Sequence, residues 1–153
     1  MPLTTTGISV QILSSLNALR LYPTQCTIND CKVVVNHLIR KFSEPYGTPV
    51  KQSYTVIRGA GGNTVRDHAV PVIVLVDQLL AWNDSQLEVN STNITTLISF
   101  LIQSLLIVEI TQDEDLILSQ KGFQRAMPPA WSNPTNPLYR NPLARYVVSG
   151  IAV

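Results

Sequence analysis

The chain has 153 residues, of which 45% are hydrophobic, and its 11 Lys and Arg residues nearly balance its 10 Asp and Glu residues, giving a formal net charge of +1. This length is enough for one domain with a buried core, so we predict a single domain over residues 1–153. The near-zero charge excludes a protein that binds polyanions through its overall charge, and nucleic-acid binding would require a local basic surface.

Composition also sets expectations for assembly and location. Only 14% of the residues are charged, which predicts apolar surface for a second subunit to cover, so we expect a homo-oligomer. The first basic residue is Arg20, so the charged start of a secretory signal is missing and a cytoplasmic protein is expected. Cys26 and Cys31 are too few for a disulfide framework and are expected to be reduced thiols. No membrane association is expected, because Gln103 and Glu109 interrupt the long apolar run.

Two amphipathic helices are predicted at the start of the chain. Apolar residues recur at helical spacing over 8–19, and Pro23 closes this segment. Thr27 followed by Asp30 resembles a capping box, and a second apolar face continues up to Pro45.

The middle of the chain is predicted to hold a small β element followed by a helix. Residues 52–58 alternate, and a glycine-rich turn at 59–63 separates them from 64–68, which is typical of a β-hairpin or of a strand and a mobile loop. The apolar run from Pro71 to Trp82 is interpreted as a helix with Pro at its start, although its β-branched residues also allow a buried strand.

A helix, a strand and a second helix are predicted next. Asn93 can cap a helix that leads into the β-branched run 106–110, which favours a strand. Thr111 and Glu114 then form a capping box for a short helix that ends at Gly122.

The C-terminal residues 126–153 are predicted to form a proline-rich irregular arm packed on the body of the domain. Its basic residues, among them Arg145, alternate with aromatic residues such as Trp131 and Tyr139. That mixture can grip nucleic acid, but it also describes an arm anchored by aromatic residues and solvated by arginines, which we favour. The whole pattern indicates an α+β fold, mainly helical, with about five helices and a small β-hairpin or short sheet.

The most suggestive motif lies between the glycine-rich turn and the apolar run. A neutral imidazole can take a proton near pH 7, and a carboxylate suits Mg²⁺ or Mn²⁺. The sequence Asp67-His68-Ala69-Val70-Pro71 resembles the first motif of the HNH, or ββα-metal, nucleases. The resemblance implies that His68 is the general base for a water attacking a phosphodiester and that Asp67 is a ligand of the divalent metal.

Other polar residues extend this candidate site. Asn90 and Asn93 are the nearby asparagines available as further metal ligands. Arg58 and Arg66 flank the glycine-rich turn, whose backbone N–H groups can approach a phosphate, so these two arginines are candidates to bind the substrate phosphate. If the chain is an enzyme, these residues predict a metal-dependent nuclease or phosphodiesterase that acts on nucleic acid.

An alternative stays open for the same residues. Asp67 could cap the next element while His68 makes a buried or interface hydrogen bond. The chain would then be a non-catalytic, oligomeric interaction module of regulator or inhibitor type, with Trp131 and Tyr139 contacting a partner.

Overall fold

The computed structural model describes residues 3–46 and 51–153, and the contacts of the chain divide it into two compact units. The first unit comprises Met1–Tyr46 and Leu75–Ser104, and the second comprises Gly47–Val74 and Leu105–Val153. The described residues form nine helices and three strands, in the order α1 (Thr5–Leu21), α2 (Ile28–Tyr46), β1 (Lys51–Gln52), α3 (Tyr54–Ile57), β2 (Thr64–His68), α4 (Val72–Leu80), α5 (Asp84–Leu87), α6 (Ser91–Ser104), β3 (Ile107–Thr111), α7 (Gln112–Gln120), α8 (Pro129–Ser132) and α9 (Ala144–Ser149).

The first unit is helical, and both helices predicted at its start are confirmed. The Thr4 hydroxyl caps α1 by accepting a hydrogen bond from the Gly7 N–H at 3.0 Å. At the start of α2, the Thr27 hydroxyl accepts from the Asp30 N–H while the Asp30 carboxylate accepts from the Thr27 N–H, as the capping box predicted. Helix α1 packs against α2 and α6. Their apolar faces supply the buried residues Ile8, Ile12, Leu13, Leu16, Val35, Ile39, Phe42, Leu97 and Leu101.

The second unit is organised around a three-stranded sheet with the order β1–β3–β2. The predicted strand over 106–110 is confirmed as β3, which is the central strand, parallel to β1 and antiparallel to β2. Val108 and Ile110 of β3 pack in one buried cluster with Leu118, Tyr146 and Ile151. This cluster joins one face of the sheet to α7 and α9.

Residues 52–68 do not form the predicted β-hairpin, because β1 and β2 each pair with β3 and not with one another, so the small β element is a short sheet. Strand β1 ends at Gln52, and the Ser53 hydroxyl caps α3 by accepting from the Val56 N–H at 3.2 Å. The same hydroxyl donates to the buried carboxylate of Glu114 at 2.6 Å. A contact with α7, distant in sequence, thus favours a helical turn where the local alternation predicted a strand.

The α+β, mainly helical class is confirmed, but the described residues hold more helices than the five or so predicted. Three of the additional helices, α3, α5 and α8, have four residues each, which is too short for a hydrophobic period to be visible. One boundary also differs, because Asn90 and not Asn93 caps α6. The Asn90 Oδ1 accepts a hydrogen bond from the Asn93 N–H at 2.8 Å.

The remaining predictions fall in α4, α7 and the C-terminal arm. Helix α4 follows Pro71 as predicted, and the Thr111–Glu114 capping box of α7 forms in both directions. Gly122, with φ +79°, follows α7 at its predicted end. The arm is more regular than predicted, because α8 and α9 lie within residues 126–153.

Among the described residues, none of the helices has both the length and the apolar character needed to cross a membrane.

Candidate functional site

The two central residues of the predicted motif project to opposite faces of the sheet. Successive side chains of a strand alternate between faces. In the antiparallel register, Asp67 lies opposite Val108, a core residue, whereas Arg66 lies opposite Glu109. Because His68 is two residues from Arg66, it shares the face of Arg66 and not that of Asp67.

On the core face, Asp67 pairs with a buried arginine and a buried tyrosine of α9. The Asp67 Oδ2 accepts hydrogen bonds from Arg145 Nη2 and from Tyr146 Oη, each at 2.6 Å. The Arg145 side chain is 1% exposed and that of Asp67 is 20% exposed. Burial and the adjacent Asp67 charge raise the pKa of Tyr146, so its phenol remains a hydrogen-bond donor at neutral pH. The cation that Asp67 contacts in this structure is therefore a guanidinium.

Arg145 also binds three backbone carbonyl groups. Its Nε donates to the Ala69 oxygen at 2.9 Å, its Nη1 donates to the Phe123 oxygen at 2.6 Å, and its Nη2 donates to the His68 oxygen. A buried guanidinium requires such acceptors, because it loses its hydration on folding. These bonds connect the end of β2 to α9 and to the loop after α7.

A second carboxylate, Asp115 in the first turn of α7, interacts electrostatically with this ion pair. Burial raises the pKa of Asp115, the Asp67 charge raises it further, and the Arg145 charge opposes both effects. The positive charge of the Arg145 guanidinium therefore partly compensates the negative charges of Asp67 and Asp115 within the second unit.

The opposite side of the sheet carries a group of polar, exposed or partly exposed side chains, which we call the polar face, next to the buried Ile107 that is paired with His68. Its centre is Glu109, whose Oε1 accepts from the Thr64 hydroxyl at 2.8 Å and whose Oε2 accepts from Gln52 Nε2 at 3.1 Å. These two hydrogen bonds, and to a smaller extent the charge of Arg66, lower the pKa of Glu109. The polar face consists of Gln52, Thr64, Arg66, His68 and Glu109.

His68 lies at the end of this face. It is partly exposed and is the diagonal neighbour of Glu109, a relation that places such residues about 7–8 Å apart in antiparallel sheets. Its imidazole is on the same side of the sheet as the exposed guanidinium of Arg66, two residues away.

The glycine-rich turn adjoins the sheet in the same unit. Arg58 is exposed at the C-terminal end of α3, and the glycines that follow adopt positive φ angles, +91° at Gly61. A Cβ atom at Gly61 would lie 2.6 Å from Thr111 Cγ2, so this position requires glycine both for its backbone conformation and for its close approach to β3. The turn is thereby held against the strand that carries Glu109.

The predicted asparagine ligands belong to the first unit, where both amides serve helix capping. Asn90 caps α6, and Asn93 Nδ2 donates to the backbone oxygens of Ser85 and Glu88, each at 2.8 Å. Within residues 3–46 and 51–153, no three His, Cys, Asp or Glu side chains form a group able to hold a metal ion. Metal binding at Asp67, Asn90 and Asn93 stays a prediction.

No protein-family model, curated protein or solved structure matches the chain. The resemblance to HNH nucleases therefore depends on residues 67–71 alone.

Sequence reasoning missed the buried role of Arg145 and Tyr146. Arg145 was expected to be a solvated residue of the arm, yet it is among the most buried side chains of the described chain. Its partner Asp67 is 78 residues away, so no local period connects the two. The local sequence gave one indication of this role, because Arg145 stands between Ala144 and Tyr146. If such a segment packs against the rest of the domain, its charged side chain needs a buried partner.

Proposed function

We propose that this chain is a phosphodiesterase acting on nucleic acid, with the polar face as its substrate surface and His68 as its general base. The observation that supports the proposal best is the strand register, which puts Arg66 and His68 on the same side of the sheet, opposite to Asp67. A partly exposed imidazole two residues from an exposed guanidinium supplies the two functions that phosphodiester hydrolysis needs.

The proposed chemistry assigns one role to each group. Arg66 and, from the glycine-rich turn, Arg58 bind the non-bridging oxygens of the phosphate and compensate the charge that develops on them. His68 takes a proton from the attacking water as the oxygen–phosphorus bond forms, and the bond to the leaving nucleotide oxygen breaks, with that oxygen keeping the bonding electron pair and then taking a proton from solvent. Glu109 remains ionised and orients the neighbouring polar side chains. A divalent metal, if it binds, would add charge stabilisation at the phosphate, but no step above depends on one.

In this proposal Asp67 has a different role from the one its motif implied. Its carboxylate compensates the buried charge of Arg145, so it stabilises the second unit and does not contact the substrate. Asp67 is adjacent to the general base in sequence but on the other side of the sheet.

The test is cleavage of single- and double-stranded RNA and DNA, with EDTA and separately with Mg²⁺ or Mn²⁺. The matched variants are His68→Ala and His37→Ala, since the chain has two histidines and His37 is exposed on α2 in the first unit. We expect cleavage that His68→Ala abolishes and His37→Ala retains. Equal cleavage by both variants, or no cleavage of any substrate, would contradict the proposal.

A second candidate function, an oligomeric interaction module, is favoured by one observation on α2. The successive residues Val33 and Val34 are 70% and 45% exposed, although apolar side chains are normally buried along a helix of this kind. The homo-oligomer expected from the composition would cover them. Sedimentation velocity of Val33→Lys tests this, with Val147→Lys, at an exposed apolar position of the second unit, as control. Dissociation in Val33→Lys alone would support the module, and a wild-type monomer would contradict it.

A further inference from the structure

The strongest feature outside the polar face is the set of bonds that Arg145 makes to three successive residues. Its guanidinium contacts the Asp67 carboxylate, the His68 carbonyl and the Ala69 carbonyl. These are the last two residues of β2 and the one that follows, and the side chain that makes the bonds is 1% exposed. A single side chain on the core side of the sheet therefore holds the end of β2.

This arrangement restricts the backbone at the point where the proposed base is attached. A strand end normally has rotational freedom, because the ladder of hydrogen bonds stops there. Here the Ala69 N–H continues the pairing by donating to the Leu106 oxygen at 2.8 Å, and Arg145 holds the carbonyls on either side of that N–H. The φ and ψ angles at His68 and Ala69 are thus constrained by both neighbours.

The bonds also require arginine in particular. A planar guanidinium directs several donors from one rigid group, so it can serve a carboxylate and carbonyls in different directions. A lysine ammonium is a single point charge with the same sign and a different geometry. Lysine at this position would keep the charge that Asp67 compensates but not the simultaneous bonds to Ala69, His68 and Phe123.

We propose that Arg145 is a positioning residue that sets the orientation of His68 on the polar face, through its bonds to the Asp67 carboxylate and to the His68 and Ala69 carbonyls. The proposal depends on the function proposed above for His68. Arg145 lies behind the sheet and does not contact the substrate. Its effect on the reaction comes from holding the imidazole where a water bound beside Arg66 can be deprotonated.

The test combines a spectroscopic and a kinetic measurement on Arg145→Lys. Arg140→Lys is the matched control, because Arg140 belongs to the same C-terminal segment and is exposed. The imidazole Cε1–H resonances are followed by proton NMR as a function of pH, and His37→Gln identifies the signal of His68. We expect Arg145→Lys to shift and broaden the His68 signal while the His37 signal is unchanged, and Arg140→Lys to change neither.

The kinetic arm uses a mixed-sequence oligonucleotide that the wild type cleaves. Arg145→Lys should lower kcat by a factor on the order of 10 to 100, as misplacement of a catalytic group does, with little change in KM. Tyr146→Phe removes one hydrogen bond from Asp67 and keeps all the bonds of Arg145, so it should lower kcat by about two- to fivefold. It is the variant to test if Arg145→Lys does not fold. Absence of cleavage by the wild type would refute the function proposed above, whereas the NMR arm decides the role of Arg145 independently. An unchanged His68 signal in folded Arg145→Lys, or in Tyr146→Phe if the first variant is unfolded, would overturn the proposal.

Discussion

The phenol of Tyr146 gives the cleanest measure of the buried ion pair. Tyr146→Phe removes one hydroxyl and keeps a fully buried ring, and the lost bond is a 2.6 Å hydrogen bond to the Asp67 carboxylate. Hydrogen bonds to charged groups contribute about 1.5–3 kcal/mol, so we expect the free energy of unfolding to fall by about that amount. Asp67→Asn removes the carboxylate that contacts the buried Arg145 charge, which costs about 3–5 kcal/mol, at the lower end here because Asp67 is 20% exposed and Asp115 still interacts with that charge.

Urea denaturation of the wild type, the two single variants and the double variant completes a double-mutant cycle. The two losses should not add, because the tyrosine hydroxyl and the carboxylate bind each other, and a coupling energy of about 1–3 kcal/mol is expected. Tyr139→Phe, at an exposed tyrosine, is the control and should change stability by less than about 0.5 kcal/mol. A loss below about 0.5 kcal/mol for Tyr146→Phe, or strict additivity with Asp67→Asn, would refute the assignment of this bond.

Three further predictions follow from single positions. Gly61→Ala should lower the free energy of unfolding by about 1–3 kcal/mol more than Gly62→Ala. Both glycines have positive φ, but only at Gly61 would a Cβ lie 2.6 Å from a side-chain carbon of β3. Equal losses of unfolding free energy in urea denaturation would contradict this. Asp115→Asn should raise the thermal unfolding midpoint at pH 7, since the raised pKa of Asp115 means that its ionised carboxylate destabilises the folded state. This gain should vanish below about pH 3.9, where Asp115 is protonated in both the folded and the unfolded state. A gain that persists below that pH would be inconsistent with the raised pKa. Cys26 should react with iodoacetamide before Cys31, because Cys31 is buried and burial raises its pKa; mass spectrometry of peptides showing equal labelling of the native protein would exclude this.

Elements with a strong local signal could be predicted from the sequence. Helix α7 is an example, because the Thr111–Glu114 capping box and Gly122 mark its two ends within twelve residues. The first two helices likewise follow from apolar spacing and from capping residues. Where four polar residues in succession can cap, as at 90–93, the sequence identified the helix but not which asparagine caps it.

Contacts between distant residues could not be predicted in the same way. Residues 54–57 alternate like a strand, but Ser53 bonds Glu114, 61 residues away, and the segment becomes a helical turn. The register of β2 on β3 decides which face each motif residue occupies, and adjacent sequence does not specify that register. The two central residues of the motif therefore separate, Asp67 into a buried ion pair and His68 onto the polar face.

We propose that nucleic acid binds at the polar face. The most direct measurement is titration of isotopically labelled His68→Ala with a short single-stranded oligonucleotide, following backbone amide shifts by NMR. We expect saturable shifts concentrated at Thr64, Arg66 and Arg58 and in the glycine-rich turn, with α2 unaffected. Shifts confined to α2 around Val33 and Val34, or no shifts at all, would contradict it.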